Sequence, residues 1–185
     1  MQPIGPLMHE HRLIERLLST LAHEVRRIES GQKPDSPFID QAVDFCRTYA
    51  DRCHHGKEED ILFRELAKKN LAPQEQAMLA ELVADHVQGR ILVRAIEEAN
   101  RAVTRCEQPA SVETLLPLLR RLIEFYPAHI TKEDKHFFFP VMQHFSRPEM
   151  DAMLLEFEAF DRQLVHEKYA GLVEEREAAL KAGGS

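Results

Sequence analysis

The strongest constraint on the fold is the spacing of apolar side chains, which recur every three to four residues in four long stretches of the chain. In the first stretch, residues 6–29, this spacing predicts a helix with one apolar stripe, formed by Leu7, Ile14, Leu18, Leu21, Val25 and Ile28. Comparable stripes run through residues 37–69, 74–106 and 114–140. Runs in which polar and apolar residues alternate, which would indicate strands, are absent from the sequence. The sequence therefore predicts an all-α protein.

Helix-breaking residues set the predicted boundaries of these helices. The first helix is predicted to end at Ser30-Gly31, and Pro37 suits the first turn of the second. Pro127 is predicted to kink the fourth helix and Pro140 to end it. Because the loops between the four helices are short, we expect the helices to pack as an up-down-up-down bundle.

One further helix is predicted beyond the bundle. Ser146 and Glu149 have the spacing of a capping box, which indicates the start of a helix. The predicted organisation is a bundle over residues 1–142, one C-terminal helix packed on it over residues 143–180, and a disordered tail over residues 181–185.

Charge and hydropathy exclude several classes of function. The chain has 31 acidic and 24 basic residues and a net charge of -7, whereas nucleic-acid binders carry a basic patch. No apolar run approaches the roughly 20 residues of a membrane span, and the N-terminus lacks the basic start and apolar core of a secretory signal. Three cysteines without CxxC spacing are typical of a reducing compartment. We therefore expect a cytoplasmic protein that binds neither nucleic acid nor membranes.

Histidine carries the functional signal, because each predicted bundle helix places one histidine on its apolar face. These four residues are His11, His54, His86 and His129. Two of them are followed four residues later by a glutamate, Glu58 and Glu133, and residues with this spacing share one face of a helix. Burial of so many polar groups without partners costs several kcal/mol.

Two divalent ions would supply those partners. The imidazole nitrogens would be terminal ligands and the two glutamates would bridge the ions. This set of nitrogen and oxygen donors suits iron, with zinc or manganese as alternatives. A buried network of His–Glu hydrogen bonds without metal is the other interpretation.

Over residues 7–142 the pattern, with its two His-x-x-x-Glu motifs, resembles the hemerythrin-like, or HHE cation-binding, family. The C-terminal helix resembles the extension of a bacterial subgroup of that family. The resemblance implies a four-helix bundle around a non-haem di-iron centre of two iron ions, and in oxygen-carrying members one iron keeps an open site for O2. The ligands that it implies are His11, His54, Glu58, His86, His129 and Glu133, with the two glutamates as bridges.

The chain departs from the oxygen carriers at Arg90, where those proteins have a further histidine. We expect His166, from the C-terminal helix, to supply the missing nitrogen as a metal ligand, with water as the alternative. His55 has polar neighbours on the preceding turns and is predicted to lie at the surface. Three carboxylates adjacent to predicted ligands are interpreted as exposed, with hydrogen bonding to the ligands as the alternative: Glu59, Asp85 and Asp134.

These features leave more than one class of function open. A binding protein would bind O2, or sense O2 or iron, at the di-iron centre. An enzyme would act on hydrogen peroxide or nitric oxide and needs a proton donor, for which Tyr126 and Tyr169 are candidates. A ferritin-like di-iron oxidase is a further alternative, because residues 133–136 match its Glu-x-x-His motif. The last alternative is a metal-free helical interaction module.

Overall fold

The computed structural model of the protein describes the backbone of residues 2–106, 109–162 and 166–183, and their side chains except at 106, 109–111, 166–168 and 183. The described residues form six helices and no strands, which confirms the predicted all-α class. Their bounds are Ile4–Glu29 (α1), residues 36–66 (α2), Pro73–Cys106 (α3), residues 109–142 (α4), Arg147–Asp161 (α5) and His166–Gly183 (α6).

The four long helices pack as a bundle around one core. Helix α4 contacts both α1 and α3, and α2 packs against α3. The two C-terminal helices lie on the outside, with α5 against α2 and α6 against α1. Among the described residues, no helix is both long enough and apolar enough to cross a membrane.

The apolar core has two parts, and a polar layer separates them. On α1, Leu7 belongs to one apolar cluster and Ile14 to the other, with His11 between them. On α4, Tyr126 and Phe137 likewise belong to different clusters. Helices α2 and α3 repeat the arrangement, with their own histidines between the two clusters. The apolar pairs on either side therefore hold the polar layer at one depth in the bundle.

The ends of α1 and α5 have the predicted chemistry. Gly31 has a φ of 87°, a left-handed conformation that is strained for residues with a Cβ, and its N–H donates to Ile28 O at 2.9 Å. At the start of α5, the backbone N–H of Ser146 donates to Glu149 Oε2 at 2.7 Å, which is the glutamate half of a capping box.

Several predicted helix bounds are wrong: the second helix ends at residue 66 instead of 69, and the fourth begins at 109 instead of 114. Helix α4 does not end at Pro140 but continues to Met142. The predicted single C-terminal helix is divided, because α5 ends at Asp161 and α6 begins at His166. Residues 163–165 between them lie outside the described part of the chain.

Helices α2 and α4 contain π-helical segments, in which hydrogen bonds span five residues instead of four. These segments are Cys46–His55 and Glu58–Phe63 in α2, and Glu133–Phe137 in α4. A π turn adds one residue to the turn, so it changes which side chains face the core, and such turns are frequent at functional sites. Each of the three segments carries at least one buried residue of the polar layer, namely His54 and His55, Glu58, and Glu133.

Candidate metal centre

Five imidazoles and two carboxylates converge in the polar layer between the two apolar clusters. Each of these side chains belongs to a residue that is at most 2% exposed: His11, His54, His55, Glu58, His86, His129 and Glu133. All four bundle helices contribute to the set. The structure thus brings together the six ligands that the family resemblance implies, and it adds His55.

The ligand atoms of these seven side chains form two adjacent groups. One group consists of His55, His86 and His129, and the other of His11, His54, Glu58 and Glu133. Within each group, the candidate ligand atoms lie within 4.8 Å of one another. One end of the centre thus offers three imidazoles and the other end offers two.

Each glutamate turns one oxygen towards each end of the centre. For Glu58, Oε1 lies 3.7 Å from His54 Nε2 and Oε2 lies 3.4 Å from His86 Nε2. For Glu133, Oε2 lies 3.1 Å from His11 Nε2 and Oε1 lies 3.3 Å from His129 Nε2. This is the arrangement that two carboxylates adopt when they bridge two cations.

The inward atoms of the centre have no hydrogen-bond partner among the described residues. This holds for the Nε2 atoms of all five histidines and for all four carboxylate oxygens of Glu58 and Glu133. An unsatisfied buried polar group costs about 1–3 kcal/mol, and more when it is charged. Divalent cations bound to these atoms would remove that cost, so the residues present fit a pair of metal ions.

The outward ring nitrogen of every histidine in the centre meets a carboxylate. The five Nδ1 contacts are His11–Asp134 at 2.7 Å, His54–Glu10 at 2.9 Å, His55–Asp51 at 3.3 Å, His86–Glu59 at 2.6 Å and His129–Asp85 at 3.3 Å. A carboxylate that accepts a hydrogen bond from Nδ1–H leaves the Nε2 lone pair directed inward, and it also fixes the orientation of the ring. This arrangement is typical of histidines that bind metal.

A shell of cations surrounds these outer carboxylates. Arg90 donates to Asp51 at 2.7 Å through Nε and to Glu59 at 2.8 Å through Nη2. Lys132 donates to Asp85 at 2.7 Å. The remaining two pairs are Lys57–Glu10 and Arg12–Asp134. Each carboxylate that orients a histidine is therefore paired with a cation.

Two pKa values reflect how closely the carboxylates of the centre lie to each other and to its histidines. Burial and the charge of Glu133 hold the pKa of Glu58 well above its ordinary value. Burial lowers the pKa of His11, but the carboxylates of Asp134 and Glu133 outweigh it and raise the value to about 9. Without a cation, Glu58 and His11 therefore favour their protonated forms, and metal binding would displace those protons.

The prediction that His55 lies at the surface is wrong, since the residue is 2% exposed and its ring stacks on that of His86 with centroids 3.9 Å apart. The prediction assumed a regular α-helix, whereas Cys46–His55 is π-helical, so the adjacent His54 and His55 both reach the centre. His55 thus brings a fifth imidazole nitrogen to the centre, at the end that lies beside Arg90. The side chain of His166 lies outside the described residues, so its predicted role as a ligand stays a prediction.

The interpretation of the adjacent carboxylates as exposed is also wrong, since Asp134 is 11% exposed, Asp85 17% and Glu59 29%, and each is bonded to a histidine of the centre. The sequence indicates these three carboxylates only by their position, because each directly precedes or follows a predicted ligand. Asp51 and Glu10 were not predicted as partners of the histidines, although Glu10 directly precedes His11. Asp51 lies four residues before His55 and could have been found only once His55 was known to face inward.

A cavity of about 280 Å³ lies beside the three-histidine end. His55, Gly89, Arg90 and Tyr126 are among its lining residues. Tyr126 is 2% exposed, and its ring lies parallel to that of His55 with centroids 6.4 Å apart. Tyr169, the other predicted proton donor, instead donates its hydroxyl to Asp44 at 2.8 Å and packs on Phe45.

Comparison with known proteins agrees with this geometry. Residues 2–140 match the family model of the hemerythrin HHE cation-binding domain. Uncharacterised proteins from two strains of Mycobacterium tuberculosis and one of Mycobacterium bovis are 25% identical over 152 residues, or 82% of this chain. The chain spans 58% of the length of these relatives. No solved structure matches the chain significantly. With three quarters of its length matched and the His/Glu clusters in place, the chain belongs to the hemerythrin HHE cation-binding domain family.

Proposed function

We propose that the protein holds two iron ions in this centre and binds O2, or senses O2 or iron, with them. The observation that carries the proposal is the set of nine inward atoms without partners, five imidazole nitrogens and four carboxylate oxygens. Nitrogen and oxygen donors in this combination suit iron. A di-iron pair supplies reversible binding of small oxidants, which side chains alone do not provide.

The two ends of the centre have different roles in this proposal. At one end His55, His86 and His129 supply three nitrogens, and at the other His11 and His54 supply two. Glu58 and Glu133 each offer one oxygen to each end. The two-histidine end therefore has one protein donor fewer than the three-histidine end. We expect an external ligand to bind at that end, since open coordination distinguishes reactive metal sites from structural ones.

The second candidate function is an enzyme that acts on hydrogen peroxide or nitric oxide. The cavity beside His55 favours it, because Tyr126 lines this cavity and is the predicted proton donor closest to the histidines. Burial holds the pKa of Tyr126 well above its ordinary value, so the hydroxyl is protonated but a weaker acid than an exposed tyrosine. The ferritin-like alternative has less support, since His136 of its Glu-x-x-His match is exposed.

Optical spectroscopy of the iron-loaded protein tests the proposal. The protein is reconstituted with ferrous iron without oxygen, and spectra are recorded as O2 is added and then removed, with the zinc-loaded protein as control. We expect near-ultraviolet absorption that appears with O2 and reverses, in the iron form only. Catalytic consumption of added peroxide would favour the enzyme instead. A protein that holds two irons and responds to neither O2 nor peroxide would contradict both O2 binding and peroxide chemistry.

A further inference from the structure

Lys57 directly precedes Glu58, one of the two glutamates expected to bridge the ions. Its side chain is 0% exposed, which is unusual for a lysine. Its ammonium group contacts Glu10, and it donates to Asp161 Oδ1 at 2.7 Å. A buried ammonium is tolerated only where such partners hold it.

These contacts continue to a histidine of the centre. Glu10 uses one oxygen for Lys57 and the other for His54, whose Nδ1 lies 2.9 Å from Glu10 Oε2. Asp161, at the opposite end of this series, is 27% exposed. A continuous set of contacts thus runs from a partly exposed carboxylate on α5 to an imidazole at the two-histidine end.

Helix α5 is seated closely against α2 at this point. A Cβ built on Gly56 would lie 2.7 Å from the tip of the Phe160 ring, so only glycine fits without movement of that ring. Phe157, which is 2% exposed, places its ring 5.8 Å from Lys57 Nζ. The end of α5 therefore covers the segment of α2 that carries His54 and Glu58.

We propose that the C-terminal extension acts on the metal centre through Asp161, a positioning residue that holds Lys57, and through it Glu10 and the ring of His54. The proposal rests on the proposed function in so far as the centre binds two metal ions. Without the Asp161 carboxylate, Lys57 has lost one of its two acidic partners, and its ammonium moves towards Glu10. Glu10 then no longer fixes the ring of His54 for metal binding. Loss of an outer partner of a metal-binding histidine typically lowers metal affinity about 10- to 100-fold.

Zinc binding to Asp161→Asn tests the proposal without any dependence on activity. The matched control is Glu156→Gln on the same helix, because Glu156 also joins α5 to α2, through Arg64 at 2.8 Å, but at the surface. Zn²⁺ is titrated into each metal-free protein against a chromophoric chelator. We expect two ions in the wild type and the control, and in Asp161→Asn one ion held at least about tenfold more weakly while the other is unchanged.

The outcomes separate this inference from the proposed function. If Asp161→Asn binds both ions like Glu156→Gln, or weakens both ions equally, the inference is wrong while the proposed centre stands. If the wild type itself binds fewer than two ions, the proposed centre fails. In that case, imidazole NMR of the metal-free proteins still tests the effect of Asp161 on His54. We expect a changed Nδ1–H signal for His54 in Asp161→Asn only. An unchanged signal would also overturn the inference.

Discussion

At the scale of single residues, His55 decides the composition of the centre. Its ring stacks on His86 and meets His129 edge to face, with centroids 5.6 Å apart for the latter pair. Its Nε2 is one of the inward atoms without a partner. The three-histidine end therefore depends on a residue whose sequence neighbours are polar.

Replacement of His55 by alanine should remove one donor from that end and leave the other end intact. We expect one of the two ions to bind at least about tenfold more weakly, the lower bound for loss of an outer partner. Metal titration monitored by isothermal calorimetry measures this. His23→Ala is the control, because His23 is exposed. If His55→Ala binds both ions with wild-type affinity, His55 is buried in the centre but does not bind metal.

Arg90 should matter to the same end although it binds no metal. Its guanidinium joins Asp51 and Glu59, the carboxylates that orient His55 and His86. Arg90→Ala is expected to weaken one ion by about tenfold, measured by competition with a chelator. Arg94→Ala, at an exposed position one turn later on α3, is the control and should change nothing. Equal behaviour of the two variants would contradict this role.

At the scale of helices, the bundle and four of the inward histidines could be predicted from the sequence, because apolar periodicity determines which face of a regular helix is buried. The residues that face inward from the π segments could not all be predicted in this way. Within Cys46–His55, two consecutive histidines face the centre, an arrangement that α-helical periodicity does not permit. The contacts of Lys57 could not be predicted from the sequence either, since Glu10 and Asp161 reach it from distant parts of the chain.

The packing of α5 on α2 makes a prediction about two glycines. Gly→Ala within a helix stabilises by roughly 0.5–1 kcal/mol when there is room for the methyl group. Gly171 on α6 has nothing within 4 Å of a built Cβ, so Gly171→Ala should stabilise by that amount. Gly56→Ala should lose the gain, because the methyl group meets Phe160. Urea unfolding of both variants measures the difference. Equal stabilisation would mean that α5 is not seated on Gly56.

At the scale of the whole molecule, the centre replaces apolar packing in the middle of the bundle with groups that need a cation. Ions that bind only the folded state stabilise it by about 4 kcal/mol at a free concentration 1,000 times the dissociation constant. For a chain of this size each kcal/mol raises the melting temperature by about 2–4 °C. We therefore expect the metal-free protein to melt roughly 10 °C lower than the loaded protein in differential scanning calorimetry. Equal melting temperatures would instead favour a metal-free network of His–Glu contacts.

In the proposed centre, the polar layer holds two metal ions, one at each end of a pair of bridging glutamates. A crystal structure of the iron-loaded protein, with diffraction data collected on both sides of the iron absorption edge, tests this most directly. We expect two anomalous peaks, one among the Nε2 atoms of His55, His86 and His129 and one beside those of His11 and His54. A single peak, or peaks away from Glu58 and Glu133, would contradict it.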